Sequence, residues 1–107
     1  MARVLALILR LAILLPAAAC VSPAPEFFGA SRHEVTRGGI RFVVFRQGDR
    51  VEVVRMGYLR RAERAPVPGL MAEAATEATG CRVIAGSMTT KIPGDTGVAR
   101  FDLDCAG

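Results

Sequence analysis

Two cysteines near the end of this 107-residue chain constrain its fold more than any other feature. Cys81 and Cys105 flank two runs of residues that are separated by the turn sequence Pro93-Gly94-Asp95. If the turn is centred on residue 93, directly opposed residues have numbers that sum to 186, and the two cysteines face each other. The same register opposes four further pairs: Val83 with Leu103, Ala85 with Phe101, Arg82 with Asp104, and Gly86 with Arg100.

This register separates apolar from polar residues. Side chains alternate along a strand, so one face of the hairpin is wholly apolar and the other is polar apart from Ile84. A one-residue slip would mix the two faces. We therefore expect a disulfide bond between Cys81 and Cys105, closing a loop of 25 residues and contributing about 3–4 kcal/mol. Two unpaired thiols, buried as small hydrophobic side chains, are the alternative.

Three more strands are predicted earlier in the chain, at 31–36, 40–45 and 51–56, and the last two are rich in β-branched and aromatic residues. Gly38-Gly39 separates the first two strands, and Gly48-Asp49 fits a two-residue type II′ turn between the next two. One face of this second hairpin then carries Ile40, Phe42, Val44, Val51 and Val53, and the other carries Arg41, Val43, Phe45, Glu52, Val54 and Met56.

A single helix is predicted from Pro68 to Thr79, with Gly80 as its stop. Its apolar positions recur at helical spacing, with Glu73, Thr76 and Glu77 on the opposite side: Val67, Leu70, Met71, Ala74 and Ala78. The elements together predict an α+β domain. An antiparallel sheet of four to five strands carries one helix on one face, in the order β-β-β-α-β-β.

The first twenty residues form a basic and apolar segment that ends at a cysteine. Arg3 and Arg10 precede an apolar stretch at 11–15, and the small residues 17–19 stand directly before Cys20. This arrangement resembles the signal peptide and lipobox of bacterial lipoproteins. The resemblance implies that Cys20 becomes the new N-terminus, carries acyl chains and anchors the protein to a membrane. It also implies a signal peptide at 1–19, a lipid-anchored tether at 20–26 and one small domain at 27–107.

Two alternatives to this resemblance remain open. Ala17 stands where lipoproteins favour Leu, and Ala17-x-Ala19 also satisfies ordinary signal peptidase, which would release a soluble periplasmic or secreted protein. A permanent membrane span would need about 20 apolar residues and would have to bury Arg10 and Pro16.

The lipoprotein resemblance also bears on the remaining cysteines and on the location. The chain has 3 cysteines, so acylation of Cys20 would leave Cys81 and Cys105 as a pair in an oxidising compartment. In Gram-negative lipoproteins Asp after the acylated cysteine retains the protein at the inner membrane. Residue 21 is Val, which favours the periplasmic face of the outer membrane.

Charge and composition argue against several functions. The formal charge is +4, and it falls to +2 once Arg3 and Arg10 leave with the signal, so nucleic-acid binding is not expected of an exported domain. The separation of Cys81 and Cys105 and the single histidine do not fit a zinc site, and no cofactor motif is present. We therefore expect no metal and no cofactor.

The candidate catalytic residues are few. His33 stands beside a turn without a visible nucleophile, and Asp102 and Asp104 point to the same side of a strand. Paired carboxylates can perform acid–base chemistry or bind calcium, but a solvated strand face beside Arg82 and Arg100 explains them better. The sequence therefore predicts a protein that is not an enzyme.

One basic cluster stands out, formed by Arg55, Arg60, Arg61 and Arg64 around Tyr58. It is a candidate contact for anionic lipid headgroups, an acidic polysaccharide or a partner protein, and an ordinary solvated loop is the alternative. The overall expectation is a small lipid-anchored envelope protein that binds or scaffolds an unknown envelope component. A small soluble periplasmic enzyme or enzyme inhibitor is the second hypothesis.

Overall fold

A computed structural model describes residues 21–106 as an α+β domain, as the sequence predicts. Its five strands are β1 (Ser31–Arg37), β2 (Ile40–Gln47), β3 (Arg50–Arg55), β4 (Arg82–Val83) and β5 (Val98–Asp104), and the helix α1 spans Val67–Thr79. All neighbouring strands are antiparallel, and their order across the sheet is β1-β2-β3-β5-β4. Short 3₁₀ turns at Pro25–Phe27 and Arg61–Glu63 complete the elements.

Two-residue glycine turns fix the register of the first three strands. Gly38 and Gly39 have φ angles of 58° and 77°, the left-handed pair that a type I′ turn requires, and Arg37 pairs with Ile40. Gly48 has a φ of 62°, no described non-glycine residue has a positive φ, and Gln47 pairs with Arg50. The positive φ of Gly48 and the negative φ of Asp49 are those of the predicted type II′ turn.

The main core lies between the sheet and α1. The predicted apolar face of β2 and β3 is buried here, together with Ala99, Phe101 and Leu103 of β5. The helix contributes the buried side chains Val67, Met71, Ala74 and Ala75. The C-cap residue Gly80 has a φ of 71° and donates its N–H to Thr76 O over 2.8 Å, which ends the helix where the sequence predicts.

A smaller apolar cluster occupies the other face of the sheet. Phe27 is buried there against Val43 and Phe45, and Val21, Ala30, Val54 and Met56 pack around these three. The described part of the segment predicted as a tether, 21–26, therefore lies against the sheet. Cys20 and the predicted signal peptide at 1–19 fall outside the described residues.

The last hairpin confirms the predicted register at one end and corrects it at the other. Arg82 pairs with Asp104, Val83 pairs with Leu103, and Cys81 is bonded to Cys105 with their Cα atoms 4.6 Å apart. The disulfide prediction is confirmed.

The predicted pairs of Ala85 with Phe101 and Gly86 with Arg100 are wrong, because β4 ends at Val83. A turn follows in which Gly86 has a φ of 76° and Ser87 donates its Oγ–H to Ile84 O over 2.6 Å. Beyond the turn, Thr89 instead of Gly86 bridges Arg100.

Candidate binding site

A cleft of about 480 Å³ opens on the sheet face that α1 does not cover. One wall is the N-terminal segment at 22–24, the other is the loop at 89–95, and the floor is formed by β3 and β5. Pro23, Ile92 and Val98 give the cleft an apolar lining, while Glu52 and Arg100 supply charge at its floor. Such a mixture of apolar surface and a few fixed polar groups is typical of binding sites.

The floor of the cleft contains a buried ion pair. Glu52 and Arg100 are cross-strand partners of β3 and β5, and Arg100 Nε donates to Glu52 Oε2 over 3.2 Å. Glu52 is only 3 % exposed, and its Oε1 accepts the backbone N–H of Ala24 over 2.9 Å. Both carboxylate oxygens are thereby satisfied, as burial of a charge demands.

Arg100 connects this pair to the N-terminal segment. Its Nη2 donates to Glu26 Oε2 over 3.0 Å, and its guanidinium lies 5.4 Å from the centroid of the Phe27 ring. One arginine side chain therefore binds an acid on the sheet, an acid on the segment and an aromatic face. These contacts fix the first wall of the cleft in place.

The second wall places a cation near Glu26. A hydrogen bond from its own backbone amide, followed by the positive charges of Arg100 and Lys91, lowers the pKa of Glu26 below its ordinary value of 4.5. Lys91 belongs to the loop across the cleft, so the two walls attract each other through these side chains.

The structure divides the predicted basic cluster into two roles. Arg55 donates from Nε to Thr96 O over 2.9 Å and from Nη1 to Gly57 O over 3.0 Å. Arg64 donates from Nε and Nη2 to Leu59 O over 3.1 and 2.9 Å, and its guanidinium lies 5.9 Å from the Tyr58 ring centroid. Arg60 and Arg61 are exposed, and in the described chain no carboxylate lies within salt-bridge distance of either.

The remaining acidic candidates, Asp102 and Asp104, form ion pairs with arginines on neighbouring strands. Arg82 Nη2 donates to Asp104 Oδ2 over 2.8 Å, and this bond, with the backbone amide of Ala106, lowers the pKa of Asp104. Asp102 lies 3.6 Å from Arg50 Nε. Within 21–106 no three His, Cys, Asp or Glu side chains are grouped so that they could hold a metal ion.

His33 does not take part in the cleft. It lies exposed on the edge strand β1, two strands away from Glu52. The cleft is lined by neither His33 nor Asp102 nor Asp104, so it brings none of the predicted catalytic candidates to its floor.

No protein-family model matches the chain, and no curated protein or solved structure is significantly similar to it. Among residues 21–106, no helix combines the length and apolar character needed to cross a membrane.

The cleft is not predicted by the sequence. A signal was present in Glu52, an acidic residue on a strand face that also carries Arg41, Val43, Phe45, Val54 and Met56. A carboxylate in that position requires a cation or amide donors close by. Arg100 becomes a candidate partner only when β3 and β5 are known to be neighbours, which the sequence pattern does not reveal.

Proposed function

We propose that this protein is an exported cell-envelope protein, anchored by a lipid on Cys20, whose domain binds or scaffolds another envelope component. The observation that carries the proposal is the Cys81–Cys105 bond. It pairs two of the three cysteines and supports an oxidising compartment, and it leaves Cys20 as the residue that the lipobox resemblance selects for acylation. The same resemblance favours the periplasmic face of the outer membrane, since residue 21 is Val.

The cleft supports binding as the role of the domain. Glu52 and Arg100 both donate or accept hydrogen bonds within the protein, which favours a structural task for them over proton transfer. The apolar surface of Pro23, Ile92 and Val98 remains available at the cleft for a partner. We expect this partner to be an envelope protein or a polysaccharide, and we do not expect a nucleic acid.

Metabolic labelling with a palmitate analogue tests the anchor. The wild type is expected to incorporate the label, and Cys20→Ser is expected to lose it. The double variant Cys81→Ser/Cys105→Ser is the matched control, and it should retain the label because those sulfurs belong to the disulfide. Equal labelling of the wild type and Cys20→Ser would overturn the anchor, and a wholly unlabelled wild type would overturn it in favour of the soluble secreted protein or the permanent membrane span.

Affinity capture from envelope extracts tests the cleft. Val98 lines the cleft, so Val98→Glu is expected to reduce recovery of a partner that the wild-type lipoprotein enriches. Ile84 is exposed and does not line this cleft, so Ile84→Glu is the control for a new surface charge. Equal recovery with both variants would place the partner elsewhere on the domain.

A further inference from the structure

One end of the sheet gathers three connections that are distant in sequence. β1 and β3 end here and β2 and β5 begin here, because the strands alternate in direction. Arg55 joins two of these connections, since its guanidinium donates to both Gly57 O and Thr96 O and its backbone N–H donates to Gly97 O over 2.8 Å. Gly57, which precedes Tyr58, Arg60 and Arg61, is thereby held beside Thr96 and Gly97, at the end of the loop that carries Lys91 and Ile92.

These five residues, Tyr58, Arg60, Arg61, Lys91 and Ile92, form what we call the basic end. The side chains of Tyr58 and Ile92 are 84 % and 66 % exposed, and the three cationic residues are exposed as well. Large exposed apolar side chains beside cations are typical of surfaces that contact a membrane interface.

The acidic side chains near the basic end accept hydrogen bonds from other groups of the protein. Glu63 Oε1 accepts the backbone N–H of Arg60 over 3.2 Å, and Asp95 Oδ1 accepts that of Gly97 over 2.7 Å. Glu26 binds Arg100. Across residues 21–106, no ion pair within 4.0 Å neutralises Arg60, Arg61 or Lys91. Lys91 attracts Glu26 only over a longer range, across the cleft, so all three cations can also act on an external anionic surface.

The chain enters the domain next to the basic end. Ser22 and Pro23 line the same cleft as Lys91 and Ile92, and Val21 packs on the apolar cluster around Phe27. Cys20 is covalently joined to Val21, so a lipid on Cys20 would be attached two residues before Ser22, which lines the cleft.

We propose that the basic end docks onto an anionic membrane surface and holds the domain in one orientation against it. The proposal rests on the lipid anchor proposed above. Each cationic residue close to an anionic leaflet contributes about 1 kcal/mol, so three of them shift the docked-to-undocked ratio by about a hundredfold. Tyr58 and Ile92 enter the headgroup region, where amphipathic and apolar side chains are stabilised.

Single-tryptophan variants test this orientation directly, because the chain has 0 native tryptophans. The protein is expressed from the full chain, purified from bacterial membranes and reconstituted in vesicles of phosphatidylcholine alone or of phosphatidylcholine and phosphatidylglycerol in equal amounts. Ile92→Trp reports on the basic end, and Gln47→Trp, in the exposed β2–β3 turn at the opposite end of the strands, is the control. Brominated lipid is expected to quench Ile92→Trp fluorescence in the anionic vesicles and to leave Gln47→Trp fluorescence largely unchanged.

Charge reversal and added salt test whether the attraction between the basic end and the membrane is electrostatic. Adding Arg60→Glu, Arg61→Glu and Lys91→Glu to Ile92→Trp is expected to abolish the quenching, and so is 1 M salt, where the Debye length is about 3 Å. Quenching that is equal for the two tryptophan positions, or equal in the neutral and anionic vesicles, would overturn the docking proposal.

The mass of the same purified protein separates failure of docking from failure of the anchor. Acylated protein without selective quenching would refute docking and leave the anchor intact. Protein without acyl chains would refute the anchor. In that case, co-sedimentation of the protein with the vesicles tests docking. Salt-sensitive binding to the anionic vesicles alone supports docking, and absence of such binding refutes it.

Discussion

Glu52 and Arg100 show how a sheet face can bury charge without losing hydrogen bonds. The Glu52 carboxylate is bound by a cross-strand guanidinium and by the Ala24 amide, and Arg100 continues to Glu26 and the Phe27 ring. The pair closes the floor of the cleft and fixes one of its walls. Removal of Glu52 leaves the Ala24 amide without its acceptor and leaves Arg100 with only its contact to the more exposed Glu26, which costs more than the loss of an exposed ion pair.

We expect Glu52→Ala to lower the free energy of unfolding by about 3 kcal/mol, because the Ala24 amide and Arg100 Nε lose their acceptor and Arg100 keeps only Glu26. The Arg100 side chain retains 19 % exposure, which places this cost at the lower end for buried pairs. Glu34→Ala is the control, since Glu34 binds Arg32 on the exposed edge strand and its loss should cost less than about 1 kcal/mol. Urea denaturation measures both, and equal losses would contradict a structural role for Glu52.

At the scale of elements, α1 and the sheet form the main core through small side chains. Ala74 and Ala75 are buried and let the helix lie close to the strands, while Met71 fills the space beside them. Gly38, in the β1–β2 turn, is also close, because a Cβ atom there would lie 2.9 Å from Leu70 Cδ1. The helix therefore tolerates little added volume on this side.

Two neighbouring helix positions test this packing. Ala74→Arg is expected to destabilise the domain by more than about 3 kcal/mol, because it forces a long charged side chain into the core. Glu73 is exposed, so Glu73→Arg should change stability by less than about 0.5 kcal/mol. Thermal denaturation followed by circular dichroism compares them. Similar melting temperatures would mean that the helix is rotated from the described orientation.

Local pattern predicts the elements of this fold well and their long-range partners poorly. The turns Gly38-Gly39 and Gly48-Asp49 fix the first three strands, because turn type and alternation together leave one register. The Cys81–Cys105 pair fixes the register at the start of the last hairpin. These interactions join neighbouring elements of the chain.

The features that the sequence did not predict involve residues far apart in the chain, or a local turn that competes with strand pairing. The sheet face on which Phe27 packs and the floor of the cleft depend on which strands become neighbours, and alternation carries no information about strand order. β4 is shorter than predicted because the Ser87 hydroxyl and the positive φ of Gly86 favour a turn over continued pairing.

At the scale of the whole molecule, a small domain with a thin core depends on its covalent link. The disulfide joins Cys81, the residue before β4, to Cys105, the residue after β5, 24 positions apart. It therefore fastens α1, β4 and β5 together at one end of the sheet. A cross-link of this span restricts the unfolded chain considerably.

Reduction of the disulfide is expected to lower the free energy of unfolding by about 3–4 kcal/mol. Urea denaturation with and without dithiothreitol measures this loss. The double variant Cys81→Ala/Cys105→Ala should match the reduced protein and show no response to dithiothreitol. A wild type that is equally stable with and without reductant would contradict the contribution of the bond.

Intact mass spectrometry tests the central claim, an exported lipid-anchored domain with one disulfide, most directly. The full chain is expressed in a bacterium, purified from its membranes without reductant and treated with iodoacetamide under denaturing conditions. The expected mass is that of residues 20–107 with acyl groups on Cys20, two hydrogens fewer than the reduced form and no iodoacetamide adduct. A mass that retains residues 1–19 and carries three alkylated thiols would contradict it.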